Sequence, residues 1–125
     1  MSQQEKKILV IEDDRFISEV YLAKLSKEGF ETILVSNGED ALKKAREESP
    51  DLILLDIFMP KIGGMDVLRL LKEKEETRGI PVVMLTNATE KEYIDNAMEM
   101  GACDYLVKSN YTPEEIVHKV LEHCN

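Results

Sequence analysis

The sequence predicts an α/β domain, a doubly wound parallel sheet of five strands with five helices. Three observations predict it. Five short apolar runs alternate with five amphipathic stretches along the chain. The runs are rich in Val, Ile and Leu, as strands covered on both faces are. Polar residues gather where four of the runs end. Strict βαβα alternation implies parallel strands, right-handed crossovers and helices on both faces.

The strand runs are KILVIE (7–12), TILV (32–35), LILLD (52–56), PVVMLT (81–86) and DYLVK (104–108). The stretches between them carry apolar residues at helical spacing. Ile17, Val20, Tyr21 and Leu25 form the first stripe. Ala41, Leu42 and Ala45 form the second, and Val67, Leu68 and Leu71 the third. Ile94, Ala97 and Met98 form the fourth, and Ile116, Val117, Val120 and Leu121 the fifth. Met98 is therefore expected in the core, with Met100 and Ile94 open between core and surface.

Boundary residues agree with these elements. Thr89 with Glu92 reads as a capping box before the fourth helix. Thr112, Pro113 and Glu115 supply cap, first-turn proline and capping-box acid for the fifth. Gly29 and Gly101 stand where left-handed helix caps belong. The run KEKEETR (72–78) reads as a solvated helix end. His118 and His123 lie five apart on the last helix and do not share a face.

A chain of 125 residues fits one domain with a substantial core. No stretch resembles a linker, so residues 1–125 are expected to form a single domain, core about 6–123, without an output module. Hydrophobic residues make up 43% and charged residues 33%, a globular rather than a disordered balance. No apolar run approaches membrane-spanning length, and MSQQEKK has no apolar segment behind its lysines. A cytoplasmic location without membrane insertion is expected. The formal net charge of −9 disfavours direct nucleic-acid contact and suits a cation or a basic protein surface. Cys103 and Cys124 are too far apart for a metal motif and are expected as free thiols, Cys103 as a small core residue.

Function is read at the strand ends. The first strand ends in Glu12, Asp13 and Asp14, the third in Asp56, the fourth in Thr86 and the fifth in Lys108. In a parallel sheet these ends share one edge, where open α/β sheets bind ligands. An acid ending an apolar strand costs free energy unless it is paired, metal-bound or protonated. Carboxylates without His or Cys make a hard-oxygen site suited to Mg²⁺ or Mn²⁺. Two of them ~5 Å apart repel by roughly 3 kcal/mol at an effective dielectric of 20, which a dication relieves. Lys108 and the Thr86 hydroxyl then suit a further anion, and a phosphoryl group fits. Taken singly, Asp14 reads equally as a helix cap, Lys108 as a loop lysine and Thr86 as a residue that merely ends a strand. Agreement among four strand ends favours the site.

These residues resemble the receiver domain of two-component response regulators, of the stand-alone chemotaxis-regulator or sporulation-relay kind. The similar segments are ILVIEDD, LLDIFMP, IGGMDVLRLLK, IPVVMLTNA and GACDYLVK, in order over nearly the whole chain. The resemblance implies a flavodoxin-like sheet of order 2-1-3-4-5. It implies a regulator rather than an enzyme, with self-catalysed phosphotransfer and autodephosphorylation. Asp56 would accept a phosphoryl group from a histidine kinase or histidine phosphotransfer protein. Asp13, Asp56 and the Phe58 backbone carbonyl would ligate Mg²⁺, with Glu12 acting through water. Lys108 would pair with Asp56, Thr86 would bond the phosphoryl group, and Tyr105 would be the aromatic switch. The face of the fourth helix, fifth strand and fifth helix would then control a downstream protein target.

Two departures from the family pattern stand out. Ser109 follows Lys108 where a proline, often with a cis bond, is usual, and a cis bond without proline costs roughly 3 kcal/mol. Phe58 and Ala88 border the expected path of hydrolytic water, where Phe58 would shield an acyl phosphate and Ala88 would offer no polar group. Rival functions fit less well. An aspartyl-phosphate phosphatase of the haloacid-dehalogenase kind needs an acid at position 58, and EDDR would repel the phosphate of a flavin. The intact set of acids, Thr and Lys also argues against a pseudo-receiver that binds without phosphorylation. Neither a Walker A motif nor G-x-G-x-x-G is present.

Overall fold

The computed structural model describes residues 6–124. The leader reading at residues 1–5 and the terminal Asn125 lie outside that range. Five strands, β1 (Lys7–Ile11), β2 (Glu31–Val35), β3 (Leu52–Leu55), β4 (Val82–Thr86) and β5 (Asp104–Val107), pair in parallel in the order β2-β1-β3-β4-β5. Between and after them run α1 (Arg15–Lys27), α2 (Gly38–Glu48), α3 (Gly64–Glu73), α4 (Lys91–Glu99) and α5 (Pro113–His123). The expected fold class and order are those observed.

Alternate strand residues feed two cores, as the two-residue period of a strand requires. Leu9, Ile11, Ile53, Leu55 and Met84 face α2, α3 and α4, packing on Ala41, Ala45, Val67, Leu68, Leu71 and Ala97. Ile8, Val10, Leu54, Val83 and Leu85 face α1 and α5, packing on Tyr21, Leu25, Ile116, Val117 and Val120. Each fully buried large apolar side chain contributes about 1.5–3 kcal/mol. The central strand β3 is buried at every position, so Asp56, the next residue, is mounted on a strand packed on both faces.

The caps follow the sequence at most ends. Asp14 caps α1, accepting the Ile17 N–H at 3.2 Å. Thr112 and Glu115 form the expected capping box of α5, with Pro113 in its first turn. Gly29 and Gly101 follow α1 and α4 with φ of 94° and 108°. The fourth helix differs. Its cap is Glu90 without a side-chain bond, so Thr89 and Glu92 form no capping box. Instead Glu90 folds back to accept the Thr89 N–H.

Three other expectations are corrected. Met98 is 44% exposed, because α4 buries only Ala97 against the sheet. Met100 and Ile94 are half-buried. Cys103 is exposed and precedes β5, so it is not a core residue. The run 72–78 is only partly a solvated end: α3 stops at Glu73, and buried Thr77 donates its hydroxyl to the Leu71 carbonyl at 2.6 Å. Lys72 also folds back to donate to the Arg78 and Ile80 carbonyls.

Candidate functional site

Strand pairing assembles the site. Ile11 pairs with Leu55 and Thr86 with Val107, so the next residues of β1, β3 and β5 emerge together beside the end of β4. The Asp56 N–H continues the ladder to the Ile11 carbonyl at 3.1 Å. Glu12 does the same toward Val35 at 3.0 Å. The backbone thus fixes both acids before their side chains make any contact.

Glu12, Asp56 and Thr86 are buried, while Asp13 is exposed. Carboxylate oxygens of Glu12, Asp13 and Asp56 lie within 4.8 Å of one another, the one such grouping among the described residues. Lys108 donates to Asp56 Oδ2 at 3.0 Å and makes a short ion pair with Glu12 Oε1. Asp56 Oδ1 accepts the Phe58 N–H at 3.3 Å, and Glu12 Oε2 accepts the Asp14 N–H at 3.0 Å. Asp14 is therefore a cap whose backbone also serves the site.

The electrostatics reflect burial against pairing. Burial pushes the Glu12 carboxyl above its ordinary value, and nearby Asp56 adds to this, although bonds from Lys108 and Asp14 oppose it. Burial pulls the Lys108 ammonium down, but Glu12 and Asp56 more than offset this and hold it above its ordinary value. Three carboxylates face one ammonium. The surplus negative charge and an all-oxygen donor set fit a hard divalent cation.

The remaining predicted residues border this cluster. Thr86 Oγ1 accepts the Ala88 N–H at 3.4 Å. The Tyr105 hydroxyl donates to the Ala88 carbonyl at 2.7 Å. Desolvation first, and nearby Glu90 and Asp56 next, push the Tyr105 phenol up to about 12. Phe58 is 53% exposed and meets Tyr93 edge to face, ring centres 5.7 Å apart. Ala88 is buried, so its carbonyl rather than its side chain serves the site.

Two residues escaped sequence reasoning. Asn87 accepts the Ser109 N–H at 3.1 Å, and residues Lys108–Asn110 form a single 3-10 turn. With no cis bond among the described residues, this clamp sets the loop after Lys108 where a proline is usual. Gly64 is the second. Its N–H donates to the Ile57 carbonyl at 2.8 Å, and a Cβ there would stand 1.9 Å from the Asp56 carbonyl oxygen. The glycine pair in IGGMDV is the signal that could have found it.

Comparison with known proteins agrees with this geometry. The sequence profile described as response regulator receiver domain matches residues 8–121. The chain belongs to the response regulator receiver family. It is 38% identical over 120 residues to the DNA-binding response regulator MtrA of Mycobacterium tuberculosis, covering 96% of this chain and 51% of that protein. It is 38% identical over 115 residues to the alkaline phosphatase synthesis transcriptional regulatory protein PhoP of Bacillus subtilis, covering 92% and 47%. The chain spans about half the length of these curated relatives.

Solved receiver structures match over nearly their whole length. The BeF3-activated N-terminal receiver domain of Klebsiella pneumoniae RstA superposes with a TM-score of 0.87 at 30% identity, covering 96% of this chain and 99% of that one. Vibrio cholerae chemotaxis protein CheY4 gives 0.88 at 26%, covering 95% and 98%. The Mn²⁺-bound form of response regulator Rcp1 gives 0.82 at 28%, covering 92% and 91%. A receiver domain is a phosphorylation-activated signalling switch, and the acidic pocket of Glu12, Asp13 and Asp56 is consistent with a phosphorylation site. Among the described residues no helix is long and apolar enough to cross a membrane.

Proposed function

We propose that Asp56 is the phospho-acceptor of this receiver, taking its phosphoryl group from a phosphohistidine on a histidine kinase or phosphotransfer protein. The observation that carries the reading is the convergence of Asp56, Glu12, Thr86 and Lys108 from four separate strand ends. Asp13, Asp56 and the Phe58 carbonyl would hold Mg²⁺, or Mn²⁺, with Glu12 acting through water. When bound, the cation supplies charge neutralisation for the phosphoryl oxygens.

The chain's own groups do the rest. An Asp56 carboxylate oxygen forms the new O–P bond as the N–P bond of the donor breaks and the imidazole leaves. A carboxylate is a weak nucleophile, so positioning and charge compensation dominate. Lys108, already within 3.0 Å of Asp56, is placed to follow a phosphoryl oxygen. The Thr86 hydroxyl would bond another oxygen, giving up the Ala88 N–H contact. Tyr105 bonds the carbonyl of that same Ala88, so its ring would respond to the change. Only a group that binds the two states differently can shift their balance, and Thr86 with Tyr105 supplies that difference.

The output surface in this reading is the face of α4, β5 and α5, where Met98 stands exposed beside half-buried Tyr93, Ile94 and Tyr105. Its target is a downstream protein, met in the cytoplasm; the net charge of −9 disfavours direct contact of this domain with nucleic acid. Water then hydrolyses the acyl phosphate in an autodephosphorylation that Phe58 slows by covering the site. Chemical lability tests the assignment. Label from a small phosphodonor should require Mg²⁺ and be removed by hydroxylamine, as an acyl phosphate is. A hydroxylamine-stable label would place the phosphoryl group on another residue type.

A further inference from the structure

At the opposite edge of the sheet, away from Asp56, three side chains that the phosphoryl site does not use come together. Cys103 immediately precedes β5, and its N–H donates to the Val82 carbonyl at the start of β4. Its Sγ lies 3.8 Å from Nδ1 of His123, in the last turn of α5. The other ring nitrogen, Nε2, lies 2.9 Å from Asp104 Oδ2. A carboxylate can only accept here, so Nε2 carries the hydrogen and the Nδ1 lone pair faces the thiol. The order is nucleophile, base and orienting acid.

We propose that Cys103, His123 and Asp104 form a thiol-modification site that reacts with small disulfides. Cys103 is exposed, so a reagent can reach the sulfur. Desolvation first, and Asp104 next, hold its thiol above the ordinary value, so the proton must be taken during attack. His123 Nδ1 is placed to take it, and Asp104 stabilises the resulting imidazolium. Sγ attacks one sulfur of the disulfide. A mixed disulfide forms, the original S–S bond breaks and its second sulfur leaves as a thiolate. The proton held on Nδ1 passes to that thiolate when it is basic and to solvent when, as with an aromatic thiolate, it is not, so no electrons are gained or lost overall.

The charged and titratable groups around Cys103 are Asp104 on β5, Lys72 from α3, and His123 and Cys124 at the end of α5. The Lys72 ammonium opposes the effect of Asp104 on the thiol. Cys124 is half-buried and free, with Asp51 and Lys6 as its charged neighbours. It is the internal comparison. A soft-metal reading is weaker, because Cys103 and Asp104 meet opposite nitrogens of the His123 ring and do not converge on one point.

The test uses the full chain with a small aromatic disulfide whose released thiolate is coloured, and mass spectrometry to locate the adduct. Cys124→Ser leaves Cys103 as the reporter and Cys103→Ser leaves Cys124. Cys103 should react about tenfold or more faster than Cys124, and His123→Asn should remove about that factor. Asp104→Asn in the Cys124→Ser background removes the orienting acid and should slow Cys103 several-fold, whereas a merely electrostatic role of Asp104, which holds the thiol up, would speed it. That variant is read with His123 intact, so it decides even if His123→Asn unfolds. Cys103 reacting no faster than Cys124, or no slower in Asp104→Asn, overturns the proposal.

Discussion

Lys108 Nζ lies 3.0 Å from Asp56 Oδ2, so the end of β5 is tied to the end of β3 across the intervening β4. The same ammonium pairs with Glu12 at the end of β1. One cation thus fastens three strand ends, and both of its acids are nearly buried. Replacing it by Lys108→Met leaves two like charges facing each other. The expected cost is about 3 kcal/mol in denaturant unfolding, because one partner of a buried ion pair is gone. Millimolar Mg²⁺ should recover much of that loss. A cost within experimental error, or one indifferent to Mg²⁺, contradicts the arrangement.

Gly64 tests whether the α3 start is a mould for Asp56. A Cβ there meets the Asp56 carbonyl oxygen, whereas a Cβ at Gly79 meets nothing within 4 Å. Gly64→Ala should therefore destabilise by about 2 kcal/mol, the range of overpacking, and slow phosphorylation with it. Gly79→Ala should be nearly neutral in both assays. Equal behaviour of the two variants would sink the idea.

These residues show what was legible beforehand and what was not. The strand ends were legible because parallel pairing carries every C-terminal end to one edge, so Asp56, Thr86 and Lys108 could be grouped from order alone. Asn87 and Gly64 were not, since each acts on backbone outside its own element, Asn87 at Ser109 and Gly64 at Asp56, and no periodicity marks such a contact. Met98 and Cys103 were misplaced for a different reason. Apolar spacing marks a helix face without saying how much of it is covered, and α4 seats only Ala97. Cys103 is a small apolar side chain next to a strand, but it lies just before the first strand residue, Asp104, where the sheet no longer covers it.

The Tyr105 phenol gives a pH prediction. Its folded value is raised from 10 to about 12, so the neutral form is favoured by folding. The contribution is intact below the unfolded value and is lost as pH rises from about 10 through about 12. Burial pushes the Tyr21 phenol up as well, so absorbance titration should show a late-titrating component that Tyr105→Phe diminishes without abolishing. A phenol titrating at the ordinary value would argue that Tyr105 is not packed in beside Glu90 and Asp56.

Phe58 gives a kinetic prediction. Its ring is half-exposed, braced by Tyr93 and only two residues beyond Asp56, so Phe58→Asn should open the acyl phosphate to water and shorten its lifetime without unfolding the domain. Ala88→Glu is a poorer probe, because Ala88 is buried and the acid would first disturb the core. Decay rates of the phosphorylated forms decide it, and an unchanged lifetime in Phe58→Asn removes the shielding role.

The central claim is that Asp56 accepts a phosphoryl group, and intact-mass measurement tests it most directly. After incubation with Mg²⁺ and a small phosphodonor, the chain should gain about 80 Da, one phosphoryl group. Asp56→Asn should gain nothing under the same conditions. An equal gain in Asp56→Asn, or no gain in the unmutated chain with any donor, would contradict the account.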